Sequence, residues 1–193
     1  MNSFVAVLAI IIAYFCGTLP IAILIAKSKG IDITTFGSGN PGASNVARAL
    51  GTKYGVLVFV GDALKGALPV AAVMSDRPIA YACAAATVLG HVFPVTRKFK
   101  GGKGVATSLG VLIGLLPGFA TGVVLAVWVM VFAASRYVSL ASVVAALALP
   151  ITVGSLLYLH HLEGNVYFAF SCAAALLVIR RHRENIRRLL AGT

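Results

Sequence analysis

The sequence predicts an all-α integral membrane protein with seven transmembrane helices, an N-terminus outside and a cytoplasmic C-terminus. Apolar residues make up 60 % of its 193 residues and charged residues only 11 %, which excludes a water-soluble globule with a polar surface. The chain divides into long uncharged runs, and most of its 16 Lys and Arg residues lie between these runs. Basic residues concentrate in the cytoplasmic loops of membrane proteins, so this placement fixes the orientation.

Seven runs are uncharged or nearly so, and we compare them with the roughly 20 residues that a span needs. The first run carries no charge and no basic leader, so we interpret it as a span and not as a cleaved signal peptide. With the N-terminus outside, only Lys65 and Arg77 of the 16 basic residues lie away from the cytoplasmic side. The runs are 1–26, 54–74, 78–96, 104–117, 118–135, 137–159 and 164–179.

The fourth and fifth runs form one uncharged stretch, 104–135, which is long for one helix and short for two. Pro117-Gly118 is the turn signal within it. A single span here would place Arg136 and the C-terminal arginines outside, against the positive-inside rule. We therefore expect two short, tilted or partly re-entrant helices. No internal repeat is evident, and we expect 1–193 to form one transmembrane domain.

A basic, glycine-rich loop precedes the fourth run. Gly101, Gly102 and Gly104 are expected to turn backbone N–H groups toward a ligand, and the following helix adds its positive dipole end. Lys98, Lys100 and Lys103 supply positive charge. This combination predicts a phosphate site at the membrane surface. The loop is not a nucleotide P-loop, because Gly104 and not Ser or Thr follows Lys103.

The first cytoplasmic loop predicts a second anion site. Its turn residues indicate a short helix with Asn40 as N-cap, Pro41 at the first helical position and Gly51 after its end. Ser44, Asn45 and Arg48 would share one side of this helix, with Ser38 and Gly39 just ahead of its N-terminus. The alternative is a capped polar loop with a solvated Arg48. Two such loops on one membrane face favour the anion site.

Three further features are weaker. His182, Asn185, Ile186 and Leu189 share one face of the predicted C-terminal interfacial helix, although a simple basic anchor is the alternative. Arg136 and Ser139 at the start of the sixth span form a candidate third wall of the site. Asp62 and Lys65, three residues apart in the second span, are interpreted as a structural ion pair.

The three cysteines lie in apolar runs, so we expect free buried thiols.

Two functions fit these features: an enzyme acting on a phosphate compound at the inner membrane surface, and a small anion transporter. A transporter typically has polar groups and broken helices near the midplane of both halves. Here the polar groups gather on one face, which favours the enzyme. No His, Cys, Asp or Glu cluster has the spacing of metal ligands, so neither a metal nor another cofactor is expected.

Four motifs closely resemble the bacterial acyl-phosphate:glycerol-3-phosphate acyltransferase family, in the family's order along the chain. They are Ser38-Gly-Asn-Pro-Gly-Ala-Ser-Asn-Val-Ala-Arg48, Gly61-Asp-Ala-Leu-Lys-Gly66, Gly90-His-Val-Phe-Pro94 with Phe99-Lys-Gly-Gly-Lys-Gly-Val-Ala-Thr107, and His182-Arg-Glu-Asn-Ile-Arg187. The resemblance implies transfer of a fatty acyl group from acyl phosphate to the 1-hydroxyl of glycerol 3-phosphate. The products would be lysophosphatidate and inorganic phosphate, in the first step of phospholipid synthesis.

The resemblance also implies roles for individual residues. Ser38 and Arg48 would be essential, His182 and Asn185 would support catalysis, and Ser139 would contact a substrate phosphate, although Val138 stands where many relatives have a second serine. The other implied phosphate-binding residues are Gly39, Asn40, Lys100, Gly101, Gly102, Lys103 and Gly104.

The implied partners are the two substrates, the lipid bilayer and, functionally, a soluble enzyme that forms acyl phosphate, without nucleic acid. The implied location is the bacterial cytoplasmic membrane, with the active site facing the cytoplasm. The His-x-x-x-x-Asp pair of other glycerolipid acyltransferases is absent, since no histidine has Asp five residues later. The base is then His182 or, as we prefer, a phosphate oxygen of the donor.

Overall fold

The computed structural model describes residues 1–161 and 164–192, which contain helices and no strands. The chain forms two compact units, Met1–Leu115 and Leu116–Thr193. The first unit contains α1 (Ser3–Thr18), α2 (Ile21–Lys27), α3 (Ala43–Leu50), α4 (Thr52–Ala71), α5 (Arg77–Val92), a 3₁₀ turn (Val95–Arg97) and α6 (Val105–Leu115). The second contains α7 (Gly118–Ser135), α8 (Val138–Tyr158), α9 (Val166–Arg181) and α10 (Arg183–Leu190).

Every predicted uncharged run coincides with a helix or helix pair, so the all-helical prediction is confirmed. In the described part of the chain, five helical segments are long and apolar enough to cross a membrane. The helix of run 104–117 is shorter, at 11 residues, and that of run 164–179 has 16. The count of seven spans therefore stays a prediction. The five segments are Ser3–Lys27, Thr52–Ala71, Arg77–Arg97, Gly118–Ser135 and Val138–Tyr158.

The first apolar run differs from its prediction, because it is broken between α1 and α2 at Leu19 and Pro20. Proline lacks the N–H that would continue the helical ladder. The Leu19 carbonyl accepts hydrogen bonds from the backbone N–H of Ile21 (3.1 Å) and from the Lys65 ammonium of α4 (2.8 Å). A neighbouring helix thus satisfies the backbone group that the break leaves open, as an apolar surrounding requires.

The first unit depends on close contacts between helix backbones. α1 packs on α5, and α4 packs on α6. A Cβ atom on Gly17 or Gly90 would overlap the backbone of the opposite helix, and the same holds for Gly66 and Gly110. Small residues let helices approach where lipid provides no hydrophobic drive for association. In the second unit, α8 packs between α7 and α9.

Candidate functional site

The first cytoplasmic loop folds differently from its predicted start. α3 begins at Ala43, after Gly42, and no side chain caps it, so the prediction of Asn40 as N-cap and Pro41 as first helical residue is wrong. The Asn40 carbonyl instead accepts the Gly42 N–H at 3.0 Å, in a tight turn ahead of the helix. The predicted end is correct, since Gly51 follows the helix with φ of 95°.

Asn45 organises this loop, a role that the sequence did not indicate. Its side-chain amide nitrogen donates to the carbonyls of Ile33 (3.2 Å) and Phe36 (2.8 Å). Its oxygen accepts the Ser38 N–H at 3.3 Å and an Arg48 N–H at 3.1 Å. Asn45 is only 1 % exposed. A buried amide with both ends satisfied holds a loop in one conformation.

The structure brings the side chains of Ser38, in this loop, and Arg48, in α3, into contact. The Arg48 Nη2 donates to the Ser38 hydroxyl oxygen at 3.2 Å. Gly39, the next residue, has a φ of 65°, and a Cβ there would lie 3.0 Å from the Thr34 carbonyl oxygen. The guanidinium is thus held beside a hydroxyl group, an arrangement suited to a phosphate or a carbonyl oxygen.

The glycine-rich loop rests on the last turn of α5. The Gly102 N–H donates to the His91 carbonyl oxygen at 3.2 Å. A Cβ on Gly101 would overlap that carbonyl oxygen, and a Cβ on Gly102 would overlap the His91 ring nitrogen Nε2. The expectation that the Gly102 N–H points to a ligand is therefore wrong. Glycine is needed here because the loop lies directly on His91.

The end of the loop agrees with the prediction of a helix start. Gly104 has a φ of 80°, and α6 begins at the next residue. Lys98 and Lys100 are exposed, and Lys103 is half-buried. The loop thus places lysines and a helix N-terminus next to each other, as an anion site requires.

Both loops border one small, solvent-open cleft in the first unit. Pro41 of the first loop and Gly102 of the glycine-rich loop line it, together with the junction of α1 and α2. Lys65 and Arg97 also line it. From the sequence, Lys65 is predicted to be structural and Arg97 to lie in a cytoplasmic segment. An ionisable residue within a span is a functional candidate by default, and this signal pointed to Lys65.

A polar network that includes Asp62, Lys65 and His91 lines the cleft. The Lys65 ammonium is 2.7 Å from Asp62 Oδ1, and both side chains are 5 % exposed. The predicted ion pair is therefore present. Asp62 Oδ1 lies 3.7 Å from His91 Nδ1, which is 3.1 Å from the Thr107 hydroxyl of α6. Residues from α4, α5 and α6 thus meet at His91, a residue that the sequence analysis quoted only as part of a motif.

The second unit carries Ser139, His182 and Asn185. Ser139 lies in the first turn of α8, and His182 separates α9 from α10. His182 is 3 % exposed, and its Nδ1 donates to the Val178 carbonyl at 2.8 Å. Because a carbonyl oxygen only accepts, the neutral ring carries its proton on Nδ1 and presents Nε2 as the basic nitrogen.

The predicted inward face of the C-terminal helix is confirmed. His182 is buried, and Asn185, Ile186 and Leu189 are partly buried, whereas Arg183, Glu184, Arg187 and Arg188 are exposed. Across residues 1–161 and 164–192, no three His, Cys, Asp or Glu side chains converge as metal ligands would.

Comparison with known proteins gives a consistent family. The sequence model of the glycerol-3-phosphate acyltransferase family matches residues 7–192. The chain is 46 % identical to a glycerol-3-phosphate acyltransferase of Endomicrobium trichonymphae, over 96 % of this chain and 92 % of that protein. It is 47 % identical to a protein of the same name from Aquifex aeolicus (strain VF5), over 97 % and 96 % of the two chains.

Solved structures with similar folds carry the same family name. The crystal structure of PlsY (YgiH), an integral membrane glycerol 3-phosphate acyltransferase in its glycerol 3-phosphate form, matches with a TM-score of 0.87 and 44 % identity. The match covers 97 % of this chain and 92 % of that one. The lysophosphatidic acid form of PlsY matches with a TM-score of 0.85.

Proposed function

The chain belongs to the glycerol-3-phosphate acyltransferase family, and from this membership we propose that it transfers a fatty acyl group from acyl phosphate to the 1-hydroxyl of glycerol 3-phosphate. The products are lysophosphatidate and inorganic phosphate. The observation that carries the proposal is the 44 % identity, over 97 % of this chain, to an integral membrane acyltransferase captured in glycerol 3-phosphate and lysophosphatidic acid forms.

The arrangement of cations in the first unit supports two phosphate-bearing substrates. Arg48 is held beside Ser38 in the first loop, whose Pro41 lines the cleft, and Arg97 lines the cleft as well. Lys100 and Lys103 belong to the glycine-rich loop, whose Gly102 lines the cleft. Phosphate groups need this surplus of positive charge when they leave bulk water. We assign glycerol 3-phosphate to the glycine-rich loop and the reacting groups to the Ser38–Arg48 side.

The proposed chemistry is substrate-assisted. The 1-hydroxyl oxygen attacks the acyl carbonyl carbon, a new C–O bond forms, and the bond from that carbon to the phosphate oxygen breaks. A phosphate oxygen of the donor accepts the hydroxyl proton, so the leaving phosphate carries it away. Acyl phosphate is already activated, and the protein contributes position and charge neutralisation. Arg48 would stabilise the carbonyl oxygen, while His182 and Asn185 would orient the substrates.

The finer membrane placement is part of the same proposal. We place seven spans in the bacterial cytoplasmic membrane, with the N-terminus outside and the cleft facing the cytoplasm. The distribution of basic residues supports this orientation, because only Lys65 and Arg77 would lie away from the cytoplasmic side. Ser139, His182 and Asn185 would then lie on the cytoplasmic side, where glycerol 3-phosphate is available.

The test is a lipid-extraction assay. Purified protein in lipid receives palmitoyl phosphate, radiolabelled glycerol 3-phosphate and a chelator, and label is followed into organic solvent. We expect labelled lysophosphatidate from the wild type and a loss of about 100-fold or more in Arg48→Ala, the scale for removing one electrostatic stabiliser of a transition state. Lys53→Ala, which removes an exposed cation at the start of α4, is the matched control and keeps activity. Label trapped in vesicles without chemical change would refute the proposal in favour of transport.

A further inference from the structure

His91 packs directly against Gly101 and Gly102 of the loop that follows it. Its carbonyl oxygen accepts the Gly102 N–H and occupies the place of a Gly101 side chain. Its ring nitrogen Nε2 occupies the place of a Gly102 side chain, and its Cδ2 lies 3.9 Å from the Cβ position of Gly104. The backbone and ring of His91 therefore support Gly101 and Gly102, while Val92 lies nearest the Cβ position of Gly104.

The other side of the ring is held by two more helices. His91 Nδ1 lies 3.1 Å from the Thr107 hydroxyl of α6 and 3.7 Å from Asp62 Oδ1 of α4. Thr107 is fully buried, and Asp62 is itself fixed by Lys65. α6 also crosses α4 closely at Gly66 and Gly110. The distance between Thr107 of α6 and Asp62 of α4 therefore cannot change easily. The ring is thus fixed on one edge and supports the glycine loop with the other.

The segment between His91 and the loop is anchored as well. The Tyr14 hydroxyl of α1 donates to the Phe93 carbonyl at 2.8 Å and accepts the Val95 N–H at 3.1 Å. The segment after α5 is therefore fixed at Phe93 and Val95 by Tyr14, and the chain then returns to His91 at Gly102.

We propose that His91 is a positioning residue: through Nε2 and its carbonyl it sets the conformation of the 101–104 loop that binds the phosphate of glycerol 3-phosphate, while Thr107 and Asp62 set the ring. This inference rests on the proposed function and deepens it. His91 acts through the loop and takes no proton in the reaction. Its loss weakens binding of glycerol 3-phosphate and leaves the chemical step nearly intact.

Two amide substitutions separate the two edges of the ring. The side-chain amide of Asn reaches the position of Nδ1, and that of Gln reaches the position of Nε2. His91→Asn keeps a partner for Thr107 and loses the support under Gly102, whereas His91→Gln restores that support without a titrating group. We expect the KM for glycerol 3-phosphate to rise about 10-fold or more in His91→Asn, with kcat within about 3-fold. His91→Gln should return that KM to within about 3-fold of the wild type.

Several outcomes would overturn the assignment. They are an unchanged KM in His91→Asn, a rise only in the KM for palmitoyl phosphate, or a large loss of kcat in His91→Gln, which would indicate proton transfer. Equilibrium binding of radiolabelled glycerol 3-phosphate is measured in parallel. A wild type that binds but does not transfer the acyl group refutes the proposed function alone, and the binding constants of the variants still decide the role of His91. A wild type that does neither refutes both.

Thr107 provides a milder second pair if His91 variants do not fold. Thr107→Val keeps the shape of the side chain and removes the hydroxyl that faces His91 Nδ1, and Thr107→Ser keeps the hydroxyl. We expect weaker glycerol 3-phosphate binding in Thr107→Val, by about 3-fold to 10-fold, and restoration in Thr107→Ser. Equal affinities in the two variants would contradict the proposed path from Thr107 through the ring to the loop.

Discussion

Replacing Asp62 with Asn should destabilise the protein through the charge that it leaves behind. The Lys65 ammonium lies 2.7 Å from the Asp62 carboxylate, with both side chains 5 % exposed, and its other acceptor is the Leu19 carbonyl. Asn fills the same space but carries no charge. Breaking a buried ion pair by removing one partner costs ~3–5 kcal/mol, because the remaining charge stays without compensation. We expect a loss in this range for Asp62→Asn.

A second substitution should recover part of the free energy of unfolding that Asp62→Asn loses. Lys65→Met keeps the length of the side chain and removes the buried charge, so Asp62→Asn/Lys65→Met loses mainly the hydrogen bond to Leu19. A hydrogen bond that involves a charged group contributes ~1.5–3 kcal/mol, and the Leu19 carbonyl still accepts the Ile21 N–H after the substitution. The double variant should therefore be at least as stable as Asp62→Asn alone.

The assay is reversible unfolding in mixed micelles with increasing SDS, followed by far-UV circular dichroism, on the wild type, both single variants and the double variant. Substitutions of contacting residues are coupled, so the four free energies of unfolding should not add. The explanation fails if Asp62→Asn costs less than about 1 kcal/mol or if the two single costs simply add. In either case the pair would contribute little and water would reach Lys65.

Two further predictions concern packing and mechanism. Gly110→Ala places a Cβ against the Ala63 carbonyl and should reduce the free energy of unfolding by ~1–3 kcal/mol. The control is Gly122→Ala, whose Cβ would lie in open space and should not destabilise the protein. Equal effects of the two substitutions would contradict the close crossing of α4 and α6. His182→Ala should raise substrate KM values and lower kcat by less than about 10-fold if the donor phosphate is the base. A loss of kcat of about 100-fold or more, at constant KM, would identify His182 as the base.

Local patterns gave correct predictions where neighbours in sequence decide the structure. The uncharged runs became helices because their length and composition leave few alternatives in an apolar surrounding. Gly51 ends α3 with a positive φ, which a pattern of turn residues indicates. The inward face of α10 follows from spacings of three, four and seven residues. Each of these features depends on residues within two helical turns.

Contacts between distant residues explain the predictions that were wrong. Asn40 is a good N-cap by residue type. In the structure, however, the Asn45 side chain donates to the carbonyls of Ile33 and Phe36, and the helix starts only at Ala43. The glycines of the second loop were interpreted as ligand-facing, yet the Cβ positions of Gly101 and Gly102 are filled by His91. The Leu19 carbonyl at the break of the first run accepts its side-chain hydrogen bond from Lys65, 46 residues later. No periodicity encodes such partners.

The network also explains how a polar cleft persists among apolar helices. Asp62 neutralises Lys65, and Lys65 donates to the Leu19 carbonyl at the break between α1 and α2. The two cleft-lining cations are thus unequal: the charge of Lys65 is offset within the network, whereas no ion pair involves Arg97 in the part of the chain that the structure describes. A phosphate entering the cleft would therefore be attracted mainly by Arg97 and the loop cations. Lys65 would instead maintain the broken helix that forms the cleft wall, since its ammonium links α4 to the α1–α2 junction.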